Sequence, residues 1–461
     1  MTDQHPTREN LRRYLAADLS PQEGQWIEDH LRKEGCTACL FLARELLKEA
    51  GPDLRESARR MADSTRSEEE REEGLRRAMR QTYNRAVALQ SELHIAPTLL
   101  EELERRPPEA RRETIRSAPR YQLFGFAEYL CQESRRAGFR DVVRAVELAE
   151  LAREVADQLD PKIYLATIAT DRQALCRAYL GNAWRVAADL VKAEQNFQDG
   201  LLLLEKGTDS VLVRAEFLSL LGSLRIDQVR YGEARQVLNR TLATYRKLRL
   251  RRLEGKVLLK LANLEGYAGE AEKAVAALQK AQQLIEGEGD DRLLLNARHS
   301  LAFWLVDAGD GLEALAQFEK TQALYDEFLD DPWVQLRRRW LRARIYAGLG
   351  DLDLAVPAFA EVRRTALDRE LPYELAMISL EEAIVHLDRG DKKRVQELAE
   401  EMVPIFRSRE LHAHALAAVY LFQQAALDKS ATVDLARQVL LYLQKARNNR
   451  YLRFHRSRRQ A

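Results

Sequence analysis

Beginning at Gly181, one four-point pattern recurs down the chain at intervals of 41, 40, 40, 41, 40 and 41 residues. A small anchor is followed at +12 by Ala, at +16 by a large apolar residue and at +19 by another small one. The anchors are Gly181, Gly222, Ala262, Ala302, Ala343 and Ala383, with a degraded seventh at Gln424. The +12 series runs Ala193, Ala234, Ala274, Ala314, Ala355, Val395 and Ala436, and the +16 series Phe197, Leu238, Leu278, Phe318, Phe359, Ala399 and Leu440. Self-similarity at this period marks a solenoid, in which each unit buries its apolar stripe only against its neighbours.

Within a unit the spacing reads as two amphipathic helices. Pro332 suits a first helical position, where its missing N–H is not needed. Gly350 closes that helix and Asp351 opens the next, with Gly269, Gly309 and Gly390 equivalent to Gly350 in three other units. Such a position calls for a left-handed residue at a helix end. Few Pro and Gly among abundant Ala, Leu, Glu and Arg make the chain all-α.

The anchor, the +12 Ala, the +16 large residue and the +19 small one resemble the tetratricopeptide repeat (TPR). The resemblance covers 161–447, with a poorer unit around Cys131 to Ala152, and implies an α-solenoid of seven to eight hairpins. The spacing exceeds the ~34 residues usual for that repeat and implies helices longer by about a turn. HEAT-like stacking, with a period of ~40 to 47 residues, is the competing reading. In the TPR family the first helix of each unit lines a concave face that grips peptides or partner helices. Here that face projects Asn182, Arg185, Lys256, Asn263, Asn296, His299, Arg337 and Arg344. Asn182 and Asn263 fall where the family's peptide-holding Asn occurs, while its carboxylate-clamp pattern is incomplete. Amides suit a peptide backbone and cations a carboxylate; a merely solvated helix face has the same composition.

Residues 1–50 form a separate module. Thr7 can cap a first helix, and Ser20-Pro21-Gln22-Glu23 supplies N-cap, N1 proline and capping-box Glu for a second. His30, Cys36 and Cys39 follow at His-x5-Cys-x2-Cys spacing, and His5 precedes the first helix. Thiolates with imidazoles suit tetrahedral Zn²⁺. Two incidental thiols, or a redox pair, are the alternatives. The stretch resembles the zinc-binding anti-sigma-factor module, which implies His5, His30, Cys36 and Cys39 as ligands and a sigma factor or similar bacterial regulator as partner. Four protein ligands would leave zinc no open position, which speaks against a metal-dependent enzyme.

Residues 51–74 read as a charged linker, and 75–160 as a helical cap with a first degenerate repeat, in which Tyr121, Phe124, Phe126 and Tyr129 pack as core. Cys131 and Cys176 have apolar neighbours and read as buried, inert thiols. The tail 448–461 is basic. Arg447, Arg450, Arg453, Arg456, Arg458 and Arg459, interleaved with aromatics, give the alternative function of nucleic-acid binding. Against it, 73 basic residues balance 72 acidic ones in 461. No membrane span or signal peptide is visible, so a cytoplasmic location is expected. No phosphate loop, nucleophile elbow or catalytic grouping is present. The chain reads as a regulatory protein-interaction scaffold rather than an enzyme.

Overall fold

The computed structural model describes residues 5–15, 18–32, 39, 46, 88–402 and 412–455. The linker 51–74, Cys36, and Arg456, Arg458 and Arg459 lie outside the described residues. The chain divides into two units, 1–90 and 91–461.

In the first unit, α1 (Arg8–Leu15) and α2 (Pro21–Arg32) pack together. Thr7 Oγ1 accepts from Asn10 N. Ser20 and Glu23 form a reciprocal capping box, Ser20 N donating to Glu23 Oε2 at 3.1 Å and Glu23 N to Ser20 Oγ at 3.4 Å. Ser20 Oγ also donates to Glu23 Oε2 at 2.7 Å, and this bond first, then that from Ser20 N, holds the Glu23 carboxyl below its ordinary pKa. Leu11, Leu15, Ile27 and Leu46 supply the buried apolar core among the described residues.

The second unit is an all-α solenoid with no strand among the described residues. Helices α3 (88–104) and α4 (Pro108–Ser117) precede the hairpin α5 (Phe124–Ala137) and α6 (Val142–Asp157). Seven further hairpins follow: α7 (Ala166–Val186) with α8 (Leu190–Leu204), α9 (Val211–Asp227) with α10 (Tyr231–Lys247), and α11 (Arg251–Tyr267) with α12 (Ala271–Ile285). Then come α13 (Asp291–Asp307) with α14 (Gly311–Lys320), α15 (Pro332–Gly348) with α16 (Leu352–Asp368), α17 (Pro372–Asp388) with α18 (Lys392–Glu401), and α19 (Ala413–Leu427) with α20 (Val433–Ala446). Two 17-residue helices and short turns fill the repeat that starts at Pro332.

The anchors act by lacking bulk. A Cβ on Gly181 would stand 2.8 Å from Phe197 Cδ2, and one on Gly222 would stand 2.5 Å from Leu238 Cδ2, so each +16 side chain seats on its own anchor. The +19 residue then admits the next unit: a Cβ on Gly200 would meet the Phe217 ring at 2.7 Å. Phe197 and Phe217, both fully buried, cross edge-to-face at 5.6 Å.

Seven residues after each of the first six anchors the backbone turns left-handed: Ala188 (φ 57°), Val229 (61°), Gly269 (92°), Gly309 (83°), Gly350 (74°) and Gly390 (74°). The next residue is the N-cap of the second helix. Asp189, Asp310, Asp351 and Asp391 each accept a backbone N–H three residues on. Asp331 likewise caps the helix that Pro332 opens.

The last hairpin departs from the stack, since α20 packs against α17 where a regular array would place α19 there. Gln424 stands where an anchor should be small, and its neighbour Gln423 is buried, donating to Ala399 O. The end of α20 therefore reaches back inside the superhelix. Asn448 and Asn449 donate to Asp227 Oδ1 and O, both at 3.2 Å. Cys131 and Cys176 are buried with sulfurs 3.6 Å apart, and burial pushes the Cys131 thiol well up.

The left-handed position predicts opposite effects at two sites. A β-branched residue pays the full steric cost there, about 1–2 kcal/mol. Val229→Gly should raise the urea midpoint by about 1 kcal/mol of stability. Gly350→Val, with nothing within 4 Å of its Cβ, should lower it by a similar amount for backbone reasons alone.

Candidate functional site

The first helices of successive units share one face. A recess of ≈ 250 Å³ is lined from α7 by Asn182 and Arg185, from α9 by Ser223, from α11 by Lys256 and Lys260, and from α13 by Asn296. None of its lining comes from a second helix of the units with anchors Gly181 to Ala302. Positions −6, −2, +1 and +5 from the anchors Gly222 and Ala262 supply much of this inner face: Glu216, Leu220 and Ser223 on α9, with Asp227 bonded to Arg185, then Lys256, Lys260, Asn263 and Tyr267 on α11. This is the one-face spacing of a helix.

Further along, a cleft of ≈ 300 Å³ is walled by Tyr267, Phe303, Trp304, Trp333 and Trp340. Arg337 opens into it without an ion pair or hydrogen bond among the described residues, and burial lowers its pKa. Arg447 closes one side, bonded to Glu374 at 3.0 Å and lying 5.7 Å over the Trp333 ring. This wall exists because α20 sits on the inner side.

The sequence-predicted inner-face residues divide by what they touch. Arg185 is paired with Asp227 at 2.5 Å and donates to Asn182 Oδ1 at 3.1 Å. Asn263 accepts from Trp304 Nε1 at 3.1 Å. His299 is buried, stands 2.7 Å from the Tyr325 hydroxyl, and is held neutral by burial, which drives its pKa well down. It is no cation for a carboxylate. Arg344 lies 3.7 Å over the Phe303 ring and bonds Asp307 at 2.6 Å and Glu381 at 3.0 Å. Lys256, Asn296 and Arg337 have no polar partner among the described residues and line the recesses. Sequence reasoning missed Lys260, Arg135 and the aromatic wall. Lys260 was recoverable as the i+4 neighbour of Lys256, and Trp333 and Trp340 as one-face neighbours of Arg337 and Arg344.

In the first unit His5 Nδ1 stands 3.2 Å from His30 Nε2 and 3.4 Å from Cys39 Sγ. The three donor atoms lie within 4.8 Å of one another, with His30 and Cys39 buried. Tetrahedral zinc with Zn–N near 2.0 Å and Zn–S near 2.3 Å holds its ligand atoms roughly 3.3 to 3.6 Å apart. The donor set and spacing therefore fit zinc.

At the C-terminus the described tail folds back. Tyr442 donates to Leu452 O at 2.8 Å and its ring crosses Phe454 at 5.1 Å. Phe454 is thus engaged in packing, and Arg447 with Glu374. No described helix is long and apolar enough to cross a membrane.

No protein-family model matches the chain, and no curated protein does. Among solved structures it is similar to aspartyl phosphate phosphatase F from Bacillus subtilis, at 10% identity over 89% of this chain and 97% of that one, TM-score 0.48. It is also similar to a Rap protein complexed with competence and sporulation factor, at 16% identity over 78% and 99%, TM-score 0.48. A third likeness is to a signal-transduction ATPase with a tetratricopeptide repeat sensor from Pyrococcus horikoshii, at 15% identity over 96% and 63%, TM-score 0.38.

Arg344 yields a pH-dependent prediction. Burial raises the Glu381 pKa, and the Arg344 charge opposes that rise. Removing the cation leaves a buried, uncompensated carboxylate, at a cost of about 3–5 kcal/mol. A carboxyl whose pKa is raised in the folded state penalises folding progressively as pH rises from its unfolded pKa, fully above its folded pKa and not at all below the unfolded value. Arg344→Met should therefore be more destabilising at pH 8 than at pH 5, measured by urea unfolding at both.

Proposed function

We propose that this chain is a protein-interaction scaffold in which the solenoid's inner face holds an extended segment of a partner protein. The aromatic cleft around Arg337 is the observation that carries this reading. Flat aromatic walls offer large contact area at low entropy cost, and an unpaired, sheltered guanidinium favours a carboxylate in fork geometry. The segment that fits has an aromatic or large apolar side chain beside an acidic one. Asn296 and Lys256 continue the same face toward α7 and contribute further polar contacts.

The first unit is read as a zinc-held head that docks a second partner. His5, His30 and Cys39 are its described ligands and Cys36 the fourth by sequence. Resemblance of that motif to anti-sigma modules names a sigma factor or related regulator as the partner class. The nucleic-acid alternative loses support from the tail, because Phe454 is packed and Arg447 paired; it requires binding that weakens steeply with salt and disappears on deleting 445–461.

Two measurements test these roles separately. A random-peptide display library panned on the full chain should enrich aromatic–acidic sequences, and Arg337→Met should abolish the enrichment; an unchanged selection removes the cleft from the function. Metal analysis of protein purified without chelator should find about one zinc per chain. Cys39→Ser should release it, and chelation should expose the thiols of the head while leaving the solenoid's helical signal in place. Zinc-free native protein would remove the metal.

A further inference from the structure

The inner face carries a second concentration of charge, at the opposite end from the aromatic cleft. Arg135 of α5 and Lys256 of α11 line two adjoining recesses of ≈ 670 and ≈ 250 Å³, and Lys260 lines the smaller. Lys256 and Lys260 stand one turn apart on one helix face, where like charges repel.

The other cations around them are already paired, and Glu216 is a carboxylate lining the larger recess with no ion pair among the described residues. Arg185 pairs with Asp227, Arg252 with Asp290 at 3.0 Å, and Arg292 with Asp331 at 2.5 Å. Glu216 accepts from the Tyr179 hydroxyl at 2.5 Å, and Asp290 also caps α13 through Leu293 N at 3.0 Å. The Lys260 ammonium donates to Ser219 O at 2.6 Å and Ser219 Oγ at 3.0 Å, both neutral. Arg135, Lys256 and Lys260 thus have no ion pair among the described residues. Sheltered like charges without a counter-ion are costly unless a ligand supplies the opposite charge.

We propose that this recess binds a small dianionic oxyanion of the phosphate class, with the Arg135 guanidinium and Lys256 ammonium as donors and Lys260 as the supporting charge. Three cations and the Glu216 carboxylate leave two net positive charges, which a dianion matches and a single carboxylate does not. An Arg fork beside a Lys point charge matches the oxygens of a tetrahedral anion. The inference rests on the inner face being open to ligands, but not on the aromatic cleft.

Protonation gives the site a signature. Burial first, then Arg135 and Arg252, lower the Lys256 pKa to about 7, with Glu216 and Asp290 opposing. Lys260 is driven well below its ordinary value by burial, then by Lys256, Arg185 and Arg135. A bound dianion favours the charged amines, so binding near pH 8, where phosphate is already dianionic, takes up a proton. Affinity then falls as pH rises past the free-state pKa, by about tenfold between pH 7.5 and 9, where inorganic phosphate is mostly dianionic.

The experiment is calorimetric titration of the full chain with inorganic phosphate, a phosphoserine peptide, and the same peptide carrying glutamate. Phosphate binding whose heat at pH 8 varies with buffer ionisation enthalpy, about tenfold weaker at pH 9 than at pH 7.5 and weakened in Lys256→Met, is the expected result. Arg135→Gln serves as the second variant should Lys256→Met fail to fold. Tighter phosphopeptide binding would identify a carried phosphate, and equal affinity a free one; either supports the site. No phosphate binding at millimolar concentration, or binding unchanged by both variants, overturns it. Arg337→Met separates the readings: it should leave phosphate binding intact even where it abolishes peptide selection. Loss of phosphate binding in that variant alone would move the anion to the aromatic cleft and overturn this inference.

Discussion

The close approach of two helices at a residue with little or no side chain is the constraint on which the solenoid depends. At Gly181 and Gly222 there is no room for a Cβ, because Phe197 and Leu238 occupy that volume. Each seated side chain is fully buried, worth roughly 2–3 kcal/mol in apolar transfer. The same ring also presents an edge to the next unit, as Phe197 does to Phe217. One contact therefore closes a hairpin and starts the next, and no hairpin is complete alone. Because each unit is fixed to its neighbour in the same way, the first helices fall on one side. The inner face is a geometric by-product of that packing.

The turn between helices sets how faithfully this is repeated. Gly269, Gly309, Gly350 and Gly390 declare their left-handed turns in the sequence, and the Asp after three of them declares the cap. Ala188 and Val229 adopt the same backbone and were not legible, since neither residue advertises it; the stack imposes the conformation on them. The last hairpin was also beyond sequence reading. Ala436 and Leu440 keep the repeat's register, but register does not say which neighbour a helix covers, and Gln424 removes the seat that would decide it. A wall of the aromatic cleft depends on that outcome.

The same limit explains the candidate site. Helical spacing shows which residues share a face, and Lys256, Asn296 and Arg337 do line it. It does not show which of them are neutralised by the adjoining unit. Arg185 meets Asp227, Trp304 meets Asn263, and Trp340 meets Glu381, each pair 41 or 42 residues apart. Arg344 meets Asp307 and Tyr179 meets Glu216 across 37. These polar rungs span one repeat, so they couple neighbouring units as the apolar seats do. Residues inside rungs are structural, and those left out are available. Availability is therefore a property of pairs of repeats and cannot be read from one.

The solenoid obtains its order from stacking. A fully stacked array draws on apolar layers that accumulate with each hairpin, so it tolerates an imperfect end such as Gln424. Among the described residues of the first unit, Leu11, Leu15, Ile27 and Leu46 form the apolar core, and the donor atoms of His5, His30 and Cys39 lie within 4.8 Å of one another. A zinc ion held by that cluster would supply on the order of 10 kcal/mol, as in small metal-folded domains, more than those four side chains contribute through apolar transfer once chain entropy is set against it.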